Sequence, residues 1–433
     1  MPFGPKNLKI SFTGKNVTHF GGVYLLHLFL KRMKLKSLFS RHVFFAQRNN
    51  HYSISEVLLA LIYPIALGFG RIETTHLLKH NGVFQYLAGL PAYPDPQTLR
   101  RFLMRMAPLS LPRLRRLHDK LLSSMILKPS LPTRIILDLD STVLILYGKQ
   151  EMAHIGYNPK KRGRPSYHPL VCFNAITKDC WHGELRPGDA HTATGVLEFL
   201  AASFAKIPSS VKVIIIRADK GFFDHKTIEY IESKNALFAI VARLTQPIKR
   251  KLAGLSYCRY SSGIETAEFM HPIKAEHKKY RFIVIRRPIP EDPSEQLSLF
   301  TLGKYSYQVI VTNLTLTPLN IWKFYNGRAA VELIIKELKG DYPLAKIPTK
   351  HFAANEAHFH ILLFSYNLIN WFKRLCLPKD VHSMTLNTVR SRMLLIPGVL
   401  VRSDNRPMLK LPANFWYREA FEHAVKEINR LKI

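Results

Sequence analysis

Over roughly the first 130 positions of this chain, apolar residues return every three to four places, the spacing of helices with one buried face. "SISEVLLALIYPIALG" joins a Ser cap to an apolar run that Pro64 interrupts, and "RIETTHLLKH" continues it. "YPDPQTLRRFLMRMAP" offers Asp95 as an N-cap and Pro96 at the first helical position. From 134 the period changes. "RIILDLDSTVLILYG", "SYHPLVCFNAIT" and "CWHGELRP" read as strands, and "TGVLEFLAASFAKI" as a helix. "VKVIIIRADKGF" has the β-branched run of a buried strand; a helix through "DHKTIEYIESKNA" and a strand at "LFAIVAR" follow. Strands followed by strand-helix alternation predict a mixed α/β core.

Between 244 and 316 the pattern turns to short strands, "GIETAEFM", "YRFIVIRRP" and "YSYQVIVTNL", around a Pro- and Ser-containing loop. The division predicted is a helical region over 1–130, a core over 131–243 and a β-rich insertion over 244–316. A helical second part of the core over 317–380 and a C-terminal helical region over 381–433 complete it.

One helical stretch breaks the usual sorting. In "WKFYNGRAAVELIIKELKGDY", residues 322–342, Val331, Ile334, Ile335 and Leu338 point one way. At about 100° per residue, Tyr325, Arg328, Glu332, Lys336 and Lys339 fall within an arc of roughly 80°. That face is cationic with a single acid in it. An ordinary solvated face held by Arg328–Glu332 and Glu332–Lys336 pairs at i,i+4 is one reading; a binding or catalytic face is the other.

Charge changes the weight between them. The 433 residues hold 63 Lys plus Arg against 30 Asp plus Glu, a formal net charge of +33. A chain this basic calls for a polyanionic partner, and nucleic acid is the usual one. Four cysteines, Cys172, Cys180, Cys258 and Cys376, show no C-x-x-C pairing and no His in zinc spacing, which suits a reducing cytoplasm better than a disulfide framework. The uncharged runs are too short for a membrane span, and the N-terminal residues lack the pattern of a signal peptide.

In so basic a chain, carboxylates at the ends of buried strands need a reason. Asp138 and Asp140 in "ILDLDST" lie two apart and share one side of a strand, Asp219 follows an apolar strand in "VIIIRADKGF", and Glu332 sits on the cationic helix. Each alone could be a cap or an ion pair. Converging, they would make an oxygen-rich site for Mg²⁺, and a pair of such ions can activate a water or a 3'-hydroxyl against a phosphodiester.

The combination resembles the DDE transposases of bacterial insertion sequences. Tyr325, Arg328, Glu332 and Lys339 fit that family's Y-x2-R-x3-E-x6-K signature. "LDLDST" is similar to its first-Asp strand and selects Asp140; "RADKGF" resembles its second-Asp motif and selects Asp219. The resemblance runs over roughly residues 15–400, including "FGG", "TLRRFL", "GYNPKKRGRPSYHPL" and "RPGDAHTATG". It implies an RNase H-like mixed-sheet core with a β-rich insertion, and Asp140, Asp219 and Glu332 as catalytic metal ligands for Mg²⁺, with Mn²⁺ as substitute. It also implies a homodimer or larger synaptic complex on double-stranded DNA, both terminal inverted repeats and target, in the cytoplasm at the nucleoid.

The DNA contacts expected are Tyr325, Arg328, Lys336 and Lys339 on the helix, with Lys160, Lys161, Arg162 and Arg164 on the "YNPKKRGRPSYHP" loop. The "RGRP" core of that loop resembles an AT-hook, but general phosphate contact at the rim of the site is the reading preferred. Arg100 and Arg101 would contribute from a helix-turn-helix-like N-terminal reader. His191 and Thr194 either approach the site or cap a helix. The alternatives are a related metal-dependent nuclease without strand transfer, or a non-catalytic DNA-binding relic.

Overall fold

The computed structural model describes residues 8–47, 51–128, 132–158, 161–260, 263–274, 277–289, 300–302 and 304–432. The chain divides into two compact units, one formed by residues up to Phe102 with those from Trp371 onward, the other by Leu103–Asn370. Both divisions fall inside helices, Pro96–Met125 and Phe352–Cys376.

The first unit is mostly helical. Helix Ile54–Leu67 starts on a capping box, in which the Ser53 hydroxyl accepts from the Glu56 amide and the Glu56 carboxylate accepts from the Ser53 amide. Pro64 does not end this helix. It continues to Gly68, whose φ of 85° supplies the left-handed C-cap, and the run Val57–Leu67 is buried throughout. A small antiparallel sheet, Val17–Thr18 with Gly398–Ser403 and Arg406–Lys410, joins the two ends of the chain within this unit. No single helix among the described residues is long and apolar enough to cross a membrane; Ile54–Leu67 and Ile72–Lys79 together reach that composition but meet at 104°.

The second unit is built on one sheet. Its first five strands are β1 (Arg134–Ser141), β2 (Leu170–Asn174), β3 (Cys180–Glu184), β4 (Val213–Ala218) and β5 (Leu237–Val241). They lie in the order 3-2-1-4-5, with β1, β4 and β5 paired parallel and β2 pairing antiparallel with both β1 and β3. This is the RNase H-like arrangement expected. Helices α1 (Val196–Phe204) and α2 (His225–Ser233) make the crossovers that parallel strands require. Strand β1 is buried from Ile135 to Asp140, as befits a strand covered on both faces.

The segment from 244 to 316 forms strands, but they prolong the core sheet. β6 (Cys258–Arg259), β7 (Glu265–Pro272), β8 (Lys279–Pro288) and β10 (Tyr305–Thr312) lie side by side in that order by antiparallel pairing, and the short β9 (Phe300–Leu302) pairs with the start of β10. β10 joins β5 through Ile310↔Val241, Val311↔Ile240 and Thr312↔Ala239. The outer edge of β5 would otherwise present unpaired amides and carbonyls, and β10 covers it. Helix α3 (Pro318–Asn326) packs on this extension, where Ile321 and Tyr325 are buried among Ala239, Ile283, Ile285 and Ile310. Helix α4 (Ala329–Gly340) follows after a break.

Candidate active site

Parallel pairing sets two of the acids side by side. β1 and β4 are in register at Leu139↔Ala218, so the next residue on each strand is an aspartate, Asp140 and Asp219. Asp140 Oδ1 accepts from the Ser141 amide at 2.8 Å, and Asp219 Oδ1 accepts from the Gly221 amide at 2.8 Å as the cap of a short 3₁₀ turn. Helix α4 brings the third acid. Asp140, Asp219 and Glu332 all line one open cleft of about 550 Å³, with Lys220, Arg243, Gln308, Tyr325, Asn326 and Arg328 on its walls.

The long polar helix expected over 322–342 is two helices. Gly327 and Arg328 separate α3 from α4, with the Gly327 and Arg328 amides bonded back to the Phe324 and Tyr325 carbonyls over three residues rather than four. The cause lies on the neighbouring strand. Arg217 of β4 donates from Nη1 to the Phe324 carbonyl at 2.5 Å and covers the Phe324 ring at 5.0 Å. A Cβ at Gly327 would lie 2.6 Å from that Nη1, so only glycine admits the guanidinium.

The break splits the predicted face in two. Tyr325 and Arg328 turn inward; Glu332 keeps 70 % of its side chain exposed, and Lys336 is exposed as well. Arg328 is 5 % exposed, with Nε and Nη2 donating to the Leu139 carbonyl and Nη2 3.1 Å from Asp140 Oδ2. Its link to Glu332 is looser, 3.8 Å. Burial works against the Arg328 charge, yet Asp140 foremost, with Tyr325 and Asp219, holds its pKa above the ordinary value. The guanidinium is thus an internal counter-ion that fixes the Asp140 carboxylate. Lys339 is half-buried and donates to the Val143 carbonyl at 2.9 Å, bracing the loop that leaves β1. Of the helix residues expected on phosphate, Lys336 is the exposed cation.

Burial pushes the Asp140 carboxyl up to about 6, with Arg328 opposing and the Asp219 and Glu332 carboxylates adding to the rise. Three like charges in one cleft are what a bound cation would relieve. The donors are all oxygen, from carboxylates, which suits a hard divalent ion, and the open cleft leaves room for water and phosphate. The residues present therefore fit such a metal. Asp138 is outside that set: it is fully buried, and its two oxygens accept from Arg217 Nε at 2.6 Å and Nη2 at 2.8 Å.

A shell behind the acids is invisible in the spacing of the sequence. The His168 imidazole holds the Ser141 hydroxyl at 3.1 Å, and that hydroxyl lies 3.4 Å from the Thr192 hydroxyl. Thr192 packs on Gly221, where a Cβ would come within 2.8 Å of its methyl. The loop carrying Thr192 is itself tied down by Arg186, which donates to the carbonyls of His191, Thr192 and Thr194. His191 and Thr194 thus give backbone acceptors to Arg186, while their side chains are exposed. Arg243 clasps the Asp219 turn from the other side, donating to the Lys220 and Gly221 carbonyls. The "DAHTATG" and "RADKGF" motifs contained Thr192 and Lys220, but no periodicity set them apart.

The cationic loop near 160 belongs to a small ribbon of Leu144–Ile145, Pro165–Tyr167 and His154–Ile155. Lys161, Arg162 and Arg164 are exposed on it; Lys161 Nζ donates to the Tyr147 hydroxyl at 3.0 Å, and Arg164 lies 5.6 Å over the same ring. Lys160 lies outside the described residues. In the first unit Arg100 pairs with Glu73, and Arg101 donates to Gln97 at 3.0 Å. All four cysteines are free, and Cys258 is the exposed one.

The chain belongs to the family described as transposase DDE domain group 1, whose model matches residues 2–433. No curated protein matches it. Among solved structures, it is similar to piggyBac transposase in a synaptic complex with hairpin DNA, at 12 % identity and a TM-score of 0.40 over 87 % of this chain and 86 % of that one. It is also similar to Mos1 transposase in a paired-end complex with the left transposon end, at 12 % identity and a TM-score of 0.17 over 45 % and 60 % of the two chains.

Proposed function

We propose that this protein is an active transposase of an insertion sequence, which binds the terminal inverted repeats of its element, cleaves the ends and joins the 3'-hydroxyls to target DNA. The observation that carries the reading is the meeting of Asp140, Asp219 and Glu332, from two adjacent parallel strands and a helix, in one cleft of a chain with net charge +33.

In this reading Asp140, Asp219 and Glu332 would hold Mg²⁺, with Mn²⁺ as substitute, and the metal, when bound, would supply the Lewis acidity that phosphoryl transfer needs. The protein's part is positioning. The Ser141 and Gly221 amides fix one oxygen of each aspartate, and Arg328 orients the other oxygen of Asp140. Glu332, exposed on α4, completes the set in the same cleft. In this reading Lys220 and Arg243, which line the cleft, take phosphates there, Lys336 takes them from the exposed face of α4, and Lys161, Arg162 and Arg164 from the ribbon. The N-terminal helical region with Arg101 reads the repeat, and a homodimer or larger assembly pairs two ends.

The test is cleavage and joining of labelled DNA carrying the element's ends, with Mg²⁺ or EDTA, for the wild type, Asp219→Asn and Glu332→Gln. The expected result is metal-dependent cutting and joining in the wild type alone, with end binding kept in both variants. Cutting without joining would make the protein a nuclease; binding with neither reaction in any form would make it a relic.

A further inference from the structure

A cluster of two histidines and a glutamate lies apart from the residues that line the carboxylate cleft. His225 and Glu229, one turn apart on α2, meet His277 from the turn between β7 and β8, and one ligand atom from each lies within 4.8 Å of the others. His225 Nδ1 is 3.1 Å from Glu229 Oε2, and the His225 and His277 rings meet edge to face with centroids 4.4 Å apart at 73°. Ligand atoms around a tetrahedral zinc with bonds near 2.1 Å stand about 3.4 Å apart, so small side-chain rotations close this set.

About fifty positions separate His277 from His225, so local structure does not force them together. A second attachment along the same helix holds the turn in place: Glu232 accepts from Lys278 Nζ at 3.0 Å and from the Tyr280 hydroxyl at 3.2 Å. Residues 225, 229 and 232 share one face of α2. We propose that His225, Glu229 and His277 bind a borderline divalent cation of the zinc type, with water in the fourth position, clipping the β7–β8 turn to the core helix. Two imidazoles and one carboxylate select such an ion over Mg²⁺, whose preferred ligands are oxygens. The role argued for the ion is to hold the turn against α2, and its occupancy is independent of the chemistry in the cleft.

The test uses the full chain carrying Asp140→Asn and Asp219→Asn, which removes competition from the cleft, titrated with Co²⁺ and followed by visible absorption. One equivalent of tetrahedral Co²⁺, displaced by Zn²⁺ and lost in both His277→Ala and Glu229→Gln, is the expected result. A Zn²⁺-dependent rise in Tm should vanish with the same two changes. His277 is exposed on a turn and Glu229→Gln is isosteric, so both variants keep the fold and their circular dichroism confirms it. No tetrahedral spectrum, or one that survives His277→Ala, overturns the site.

Discussion

Arg217 and Asp138 form a two-pronged ion pair between adjacent parallel strands, both side chains almost wholly buried, and the remaining guanidinium nitrogen holds the end of α3. Asp138 shares its strand face with Asp140, and through Arg217 it locates the break from which Arg328 and Glu332 emerge. Removing one partner leaves an uncompensated buried charge. Arg217→Met should cost about 3–5 kcal/mol of stability, measured by urea unfolding. Asp138→Leu with Arg217→Met should recover much of that stability while activity stays low, because the Phe324 carbonyl has lost its donor. Recovery of activity together with stability would show that the pair does not position α4.

Gly327 has helical dihedrals, φ −58° and ψ −16°, so an alanine there meets no backbone penalty. The main obstacle is the Arg217 guanidinium, 2.6 Å from the added Cβ, with the Phe324 carbonyl next at 3.2 Å. Gly327→Ala should therefore lower the rate of strand cleavage at saturating DNA far more than it lowers end affinity. An equal fall in both, read from binding isotherms beside single-turnover rates, would point to general unfolding instead.

Lys336 and Lys339 separate cleanly in the structure. Lys336→Ala removes an exposed cation, and the slope of log binding against log salt should shrink by about 1. Lys339→Ala takes the donor from the Val143 carbonyl, so its effect should fall on thermal stability and on the loop after Asp140, with the salt slope nearly unchanged.

The second unit should be acid-labile. Burial holds His118 down at about 3 and His358 at about 4, and drives His182 and His360 well below their ordinary 6.5. Donors aimed at the rings agree: the Asn367 amide reaches His118 Nε2 at 2.8 Å and Lys206 Nζ reaches His182 Nδ1 at 2.9 Å. Unfolded, these histidines take protons near pH 6.5; folded, they resist until far lower. Below 6.5 the unfolded state binds more protons, so stability is full above that pH and falls as pH drops towards 4. His358, whose shift comes from burial alone, is the cleanest probe. In His358→Leu the loss of stability between pH 7 and pH 4 should shrink by up to about 3 kcal/mol. An unchanged pH profile would mean that His358 is not held neutral.

The order of elements, the α/β core and the two strand-end aspartates were legible because buried parallel strands write continuous apolar runs. A tight i+2 pair such as Asp138 and Asp140 was also visible, though only the structure separates the ion-paired residue from the one in the cleft. The break at Gly327 was not legible: glycine in a helical pattern carries no sign of the arginine 110 positions earlier that fills its place. Nor was the attachment of β10 to β5, since an insertion and an extension of the same sheet have the same alternation, and pairing partners some 70 residues apart leave no local trace. Thr192 and His168, behind the acids, act through tertiary contacts with Ser141 and Gly221 that no spacing encodes.

The seating of α3 on the sheet extension also bears on how the chain emerges from the ribosome. Asp140 and Asp219 are synthesised early, but Glu332 depends on Ile321 and Tyr325 settling against Ile283, Ile285 and Ile310, which must already be paired through β8 and β10. A nascent chain halted before β10 carries two of the three acids at the ends of inner strands, lacks the wall that α4 supplies and leaves the outer edge of β5 unpaired. Interrupted translation products of this gene would accordingly be inert towards DNA strands while remaining prone to edge-to-edge association.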